Sequence, residues 1–433
     1  MMPGAPMASL VMLYLFIHRV AVKPSSSMSE SRPALAVLQL KRHEERRLNT
    51  GHLWIYSNEV DTARTPLHAF EAGQAVRIES STGRPLGTAY VNPHSLICAR
   101  IVSRDSARVL DRALLVQRTR MALALRGRLY RAPYYRLIYG EADALPGLVV
   151  DRYGDVLVVQ LTTAGMERLK DEVLAALDEV IGPAAVLLRN DSPIRQLEGL
   201  PSYVESFGPV PEYIELEEDG VRFQISVSKG QKTGWFFDQR DNRLRLDRYA
   251  RGARVLDLFS YTGAWGIRAA MHGAREVLCV DSSQEALDRL QANVELNGLV
   301  NRATGRKGEA FDVLRSLRES GEQFDLIVLD PPAFIKRKKD SKAGQEAYLR
   351  LNQLAMEVLT SDGILVSASC SWHLEAAKLQ QILLQAARHQ ARGLQILEYG
   401  RQSADHPVHP AIPESEYLKA FYCRVVKGRN VLC

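Results

Sequence analysis

At 433 residues the chain holds two or three domains of about 100–200 residues each. A composition of 46% apolar and 24% charged residues describes a soluble globular protein and argues against a disordered or membrane-embedded one. The formal charge of +6 favours a polyanionic partner, since Lys and Arg release counterions from phosphates, but ordinary surface charge would explain it as well.

The opening residues 1–34 carry an apolar run, LVMLYLFI, too short to span a bilayer. No basic stretch precedes it and no clear cleavage site follows. They are expected to be a disordered tail or the product of an upstream start codon, with Met28 as the true start. Five scattered cysteines (Cys98, Cys279, Cys370, Cys423 and Cys433) form no CxxC pair. That argues against a disulfide framework or metal site and for a reducing, cytoplasmic compartment.

Residues 35–107 read as a small β-rich unit, with strands at Ala36–Leu40, Val76–Glu79, Gly87–Tyr90 and Leu96–Ile101. Residues 108–226 mix helix and strand. Arg112–Leu129 and Glu167–Val180 have helical spacing, and Leu148–Val150 and Val156–Leu161 flank a turn at Asp151–Asp155. Ala184–Arg189 is a further strand. The Asp219-Gly220 pair predicts a hairpin between Tyr213–Glu217 and Val221–Val227, with the acidic patch Glu215–Asp219 on its solvated face.

From residue 227 to 433 the rhythm becomes strand–helix–strand, as a doubly wound sheet requires. Ser282 and Glu285 have capping-box spacing for a helix over Ser283–Asn297, with Gly298 after its end. Val277–Val280, Leu326–Leu329 and Ile364–Ala368 are continuous apolar strands, covered on both faces. Leu374–Ala387 is the helix after the last of them.

In such a sheet ligands bind beyond the carboxyl ends of the strands. Val255–Ile267 reads as strand, turn and helix start, and Gly263 in Ser260-Tyr261-Thr262-Gly263 admits a close backbone approach to a ligand. Asp281 ends the next strand, where a carboxylate accepts from ribose hydroxyls; a helix-capping role is the alternative. Glu309 and Ala310 follow, at the expected adenine edge. This ordered series, without GxGxxG at the first turn, points to a nucleoside cofactor, S-adenosylmethionine, rather than a dinucleotide.

Asp330-Pro331-Pro332-Ala333-Phe334 closes the fourth strand, because paired prolines cannot continue a ladder. Asp330 is thereby expected at the rim, able to bind an amino group on a flat base, with Phe334 placed to stack on it. The basic run Lys336–Lys339 could hold RNA phosphates beside it. A free cysteine is usually a small buried hydrophobe, but Cys370 ends another strand facing the same crevice. A thiolate there could add to C6 of a pyrimidine and make C5 electron-rich, with Lys232 and His373 as candidates to lower its pKa.

With these motifs in place, the chain resembles the bacterial S-adenosylmethionine-dependent large-subunit (23S) ribosomal RNA cytosine-5 methyltransferases that carry an N-terminal PUA domain. The resemblance runs from about Leu38 to the C-terminus and is most specific at Tyr139–Leu148, Gln231–Gly234, Phe237–Arg243, Leu256–Gly263, Leu329–Phe334 and Ser369–Ser371. It implies an α/β fold: a PUA-like domain, a central α/β domain, and a Rossmann-like methyltransferase domain ending in an antiparallel hairpin. It further implies that Phe237, Asp238 and Gln239 help enclose the cofactor, that Asp330 orients the cytosine, and that Cys370 is the nucleophile. The chain departs from many RNA cytosine-5 methyltransferases at Pro332, where a second cysteine commonly stands, and Trp372-His373-Leu374 is less typical.

The sequence therefore favours methylation of cytidine C5 in large-subunit ribosomal RNA. Methylation of a guanine or adenine nitrogen, with Cys370 merely structural, is the rival within the same chemistry. A non-catalytic RNA-binding assembly factor is the rival outside it. No membrane partner is expected, and a homodimer is one open possibility for assembly.

Overall fold

The computed structural model describes residues 34–428, so the readings of the opening tail and of Cys433 lie outside the described residues. Strands β1 (Ala36–Gln39), β2 (Trp54–Tyr56), β3 (Gln74–Glu79), β4 (Pro85–Val91) and β5 (Ile97–Ser103) form one sheet in the order β1-β3-β4-β5-β2. The expected strands are all present; β2, three residues long, is too short to show alternation in sequence.

Arg112–Leu129 forms one helix, started by the Asp111 carboxylate, which accepts the Leu114 amide at 3.0 Å. The second sheet has β6 (Tyr134–Tyr139), β7 (Leu148–Tyr153), β8 (Val156–Leu161), β9 (Ala185–Asn190) and β10 (Tyr203–Phe207) in the order β10-β9-β8-β7-β6. The turn expected at Asp151–Asp155 shrinks to Gly154-Asp155. Asp151 stays in β7, fully buried, because the Arg136 guanidinium holds both its oxygens at 2.8 Å. β6 escaped the sequence reading because a register shift between Arg136 and Ile138 breaks its two-residue period.

β11 (Ile214–Glu218) and β12 (Val221–Ile225) form the expected hairpin, with φ of 51° at Asp219 and 84° at Gly220. Two positive φ values suit the right-handed twist of paired strands. The acidic patch is not simply solvated. Glu218 is buried against Arg243 at 2.6 and 2.5 Å, and Asp219 takes Arg240 through both oxygens at 3.0 Å.

The third sheet is Rossmann-like: β13 (Arg254–Leu258), β14 (Glu276–Asp281), β15 (Ala303–Lys307), β16 (Phe324–Leu329), β17 (Leu359–Ser369), β18 (Arg392–Arg401) and β19 (Lys419–Lys427). Their order is β15-β14-β13-β16-β17-β19-β18, with β13 to β17 parallel and β19 antiparallel to both neighbours. Alternate residues feed two cores: Val255, Leu326 and Val328 on one face, Leu256, Ile327 and Leu329 on the other. That double burial explains the unbroken apolar runs. The chain order reverses between β13 and β16, which opens a crevice at their carboxyl ends. The helix after β14 spans Gln284–Leu296 and is capped by Ser283, which accepts the Ala286 amide at 3.2 Å; Ser282 does not cap it.

The helix after β13, Ala264–Met271, lies close on the sheet at Gly266. A Cβ there would stand 2.4 Å from Cys279 Sγ and 3.0 Å from Val277 Cγ1. Gly266→Ala is therefore expected to destabilise the fold by about 1–3 kcal/mol, seen as a lower urea midpoint at unchanged slope. A midpoint equal to the wild type would show that helix and strand separate without penalty.

Candidate active site

The turn after β13 carries unusual backbone. Phe259 and Tyr261 have φ of 61° and 50°, values that cost bulky side chains about 1–3 kcal/mol each. Neighbouring contacts impose them: the Ser260 amide bonds to Val280 O at 3.0 Å, and the Tyr261 amide to Asp281 Oδ2 at 2.8 Å. The Tyr261 hydroxyl accepts the Gln231 amide at 3.1 Å and so holds the Gln231–Gly234 loop over the crevice. That loop is gripped from the other side by Asp151, which accepts from the Thr233 hydroxyl at 2.5 Å. The second sheet thus positions a wall of the site.

The crevice has a volume of about 360 Å³, within the range of small-molecule sites. Asp238, Gln239, Ser260, Tyr261, Asp281, Asp330 and Cys370 all line it. Phe237 does not: it is buried against Tyr153, with ring centroids 5.2 Å apart, and Phe236 lines the crevice in its place. Gly263 also lies outside the wall. A Cβ on it would stand 3.0 Å from Ile267 Cδ1 and from Leu290 Cγ, and its φ is 86°, so the glycine serves the turn and helix packing. Glu309 is exposed at the start of the helix Ala310–Glu319, and Ala310 is buried in the core; neither borders the cavity. Phe334 packs on Tyr348 at 4.8 Å inside an aromatic cluster, so it is not placed to stack on a base.

Asp330 stands at the end of β16, as its two prolines require. Its Oδ1 accepts from Gln239 Nε2 at 2.8 Å and its Oδ2 from Trp265 Nε1 at 3.1 Å. Burial pushes its carboxyl up to about 6, against the Trp265 hydrogen bond. Asp238 behaves oppositely. Burial favours its neutral form, yet Lys232, His406 and the Tyr417 hydroxyl hold it below the usual carboxylate range. The Tyr417 hydroxyl donates to Asp238 Oδ2 at 2.5 Å, and Lys232 Nζ lies 3.8 Å from the same oxygen.

Cys370 follows β17, half-buried. Burial raises its thiol pKa, Lys232 lowers it, and Asp330 and Asp238 raise it again. His373, the other sequence candidate, borders a neighbouring groove instead. Sequence reasoning missed Lys419, whose ammonium donates to Ser371 O at 2.6 Å and is lowered by burial to about 8. Lys232→Met is expected to move Cys370 alkylation by iodoacetamide to higher pH, because it removes the cation that opposes burial. Peptide mass spectrometry of the labelled cysteine reads this, and an unmoved profile would separate Lys232 from the thiol.

Residues 38–104 match the PUA-like domain family, and residues 198–424 match the S-adenosylmethionine-dependent methyltransferase family. A protein of Erwinia tasmaniensis named ribosomal RNA large subunit methyltransferase I is 39% identical over 399 residues, covering 90% of this chain and 99% of that one. Its namesake in Salmonella typhimurium is 37% identical over 409 residues, covering 92% of this chain and 100% of its own. The chain belongs to the ribosomal RNA large subunit methyltransferase I family.

The fold of this methyltransferase is also that of a solved protein complexed with SAH, with a TM-score of 0.77 at 23% identity over 90% of this chain and 100% of that one. A solved protein from Streptococcus mutans aligns at a TM-score of 0.76 and 22% identity, over the same shares. The cofactor is S-adenosylmethionine. The residues present fit it: Ser260 Oγ and Asp238 Oδ1 are buried without a hydrogen-bond partner, a state that costs energy unless a ligand satisfies them. Asp281 is fixed by two amides, those of Tyr261 at 2.8 Å and Ser283 at 2.9 Å, and each oxygen keeps acceptor capacity. Among the described residues no helix is long and apolar enough to cross a membrane.

Proposed function

We propose that this methyltransferase methylates C5 of a cytidine in large-subunit (23S) ribosomal RNA, in the reducing cytoplasm, through a covalent Cys370–C6 adduct. The observation that carries the reading is that Cys370 and Asp330, from the ends of adjacent strands, line one crevice with the strained Ser260–Tyr261 turn and Asp281. The relatives' name supports ribosomal RNA as the substrate.

Asp281 would hold the ribose hydroxyls of the cofactor, Asp238 Oδ1 its ammonium, and Ser260 and Gln239 would help enclose it. When bound, S-adenosylmethionine supplies an electrophilic methyl group on a sulfonium. Asp330 accepts a hydrogen bond from the exocyclic amine of cytosine and fixes the ring. The Cys370 thiolate adds to C6, which breaks the 5,6 double bond and puts electron density on C5. Once C5 is substituted, loss of its proton to a base expels the thiolate and restores the ring. The cytosine must leave its stack first, at a cost of a few kcal/mol that is least in a loop.

The test is incubation of the protein and S-adenosylmethionine with ribosomal RNA from a strain lacking the enzyme, followed by nucleoside mass spectrometry. New 5-methylcytidine is expected. A methylated guanine or adenine nitrogen instead would overturn the C5 chemistry, and RNA binding without consumption of S-adenosylmethionine would overturn catalysis.

A further inference from the structure

Beside the crevice runs a second groove of about 780 Å³, and Leu418 lines both. Two large aromatic side chains are exposed along it, Trp372 at 43% and Tyr399 at 65%. Neither is loose: Trp372 meets His373 edge-on at 4.8 Å, and Tyr399 meets Phe421 edge-on at 5.4 Å. Exposed aromatic rings fixed inside a concave surface mark a binding site more than a solvated face.

The charge of the groove selects the kind of ligand. Arg245, Lys338, Arg401 and Lys419 line it against two carboxylates, Glu375 and Glu416; Arg245 is paired with Glu398 at 3.5 Å, and the other three cations still outnumber the two carboxylates. Lys338 and Arg401 are exposed, and among the described residues their side chains make no ion pair or hydrogen bond. Lys338 belongs to the basic run after Asp330, and Trp372 lies two residues beyond Cys370. Rings that stack with any base, interleaved with cations free to meet phosphates, are the chemistry of a single-stranded nucleic-acid channel.

We propose that this groove is a stacking subsite for the unpaired nucleotides flanking the methylated base, with Trp372 and Tyr399 as its platforms and Lys338 and Arg401 on the backbone. The inference rests on the reading of the substrate as RNA. It also gives that reading a physical aid: extracting one base unstacks its neighbours, and a platform next to the catalytic crevice recovers part of that loss.

The test is fluorescence anisotropy of a fluorescein-labelled ten-nucleotide oligocytidine against full-length protein saturated with SAH. Trp372→Ala and Tyr399→Ala are each expected to weaken binding about tenfold, with SAH affinity and the thermal midpoint unchanged. Trp372→Phe, which keeps a ring, is expected to stay near the wild type. Wild-type affinity in both alanine variants, from a protein that still methylates ribosomal RNA, would overturn the subsite alone. Failure of the wild-type protein to bind RNA or to methylate any ribosomal RNA would overturn the underlying reading and the subsite with it.

Discussion

Cys370→Ala is expected to lower methyl transfer to ribosomal RNA by on the order of 10⁴-fold or more, the scale seen when a covalent nucleophile is deleted. The site tolerates the change structurally, because Cys370 is half-buried and lines a cavity rather than filling the core. SAH affinity and thermal midpoint should therefore match the wild type, which isolates the chemical step. The other described cysteines, Cys98, Cys279 and Cys423, are buried, and burial holds each thiol above its ordinary value, so none substitutes for the lost nucleophile. RNA carrying 5-fluorocytidine sharpens the experiment. Fluorine at C5 cannot leave as a proton does, so the Cys370–C6 thioether should persist as a denaturant-resistant band with the wild type and be absent with Cys370→Ala. Activity of the alanine variant within tenfold of the wild type would end the covalent mechanism.

The centre of the methyltransferase sheet was legible because strands β13, β16 and β17 are buried on both faces. Continuous apolar runs, a carboxylate at the ends of β14 (Asp281) and β16 (Asp330) and a double proline are local signals of a global arrangement. Other strands that sequence reasoning missed had no such signal: β2 is too short, β6 is interrupted by a bulge, and β10 and β15 lie at sheet edges with mostly exposed or half-buried residues. Charged residues misled wherever burial was compensated by a partner far away in sequence. Asp151 and Glu218 look like turn and surface residues until Arg136 and Arg243 are seen holding them. No local pattern reports a neutralising partner.

The site divides in the same way. Topology alone carries three residues placed by a strand end, Asp281, Asp330 and Cys370, to the crevice, whereas Glu309 and Ala310 beyond β15 do not reach it. Residues placed by side-chain direction were missed. Phe236 and Phe237 are adjacent in sequence, yet one lines the cavity and the other fills the core. Lys419 arrives from β19, which returns antiparallel beside β17 and brings its ammonium within hydrogen-bond reach of Ser371. Periodicity shows that such a strand exists but not which neighbour it joins.

Asp330→Asn is expected to lower kcat/KM by about 10²-fold while the protein stays folded, and the reason lies in the direction of four hydrogen bonds. Arg245 Nη1 donates to Asn242 Oδ1 at 3.2 Å, and Asn242 Nδ2 donates to Gln239 Oε1 at 2.7 Å. Gln239 is thereby left with its amide nitrogen toward Asp330, where it donates at 2.8 Å, while Trp265 Nε1 donates to the other oxygen at 3.1 Å. Both groups facing the carboxylate are donors, and an indole has no acceptor to offer instead. An asparagine must turn its own NH₂ toward one of them, leaving a buried donor unpaired at about 1–3 kcal/mol and withdrawing an acceptor from the substrate's exocyclic amine. The pH profile separates this from simple misfolding. With its carboxyl near 6, wild-type Asp330 loses its charge as pH falls through that value, so kcat/KM should fall there. The asparagine variant, having no proton to gain, should lack that acid limb. The same shift has a stability cost: the fold favours the neutral carboxyl, so its contribution is fully present below the ordinary carboxylate pKa and is lost as pH rises through about 6. An unchanged acid limb in Asp330→Asn would assign that titration to another group and remove Asp330 from the reaction.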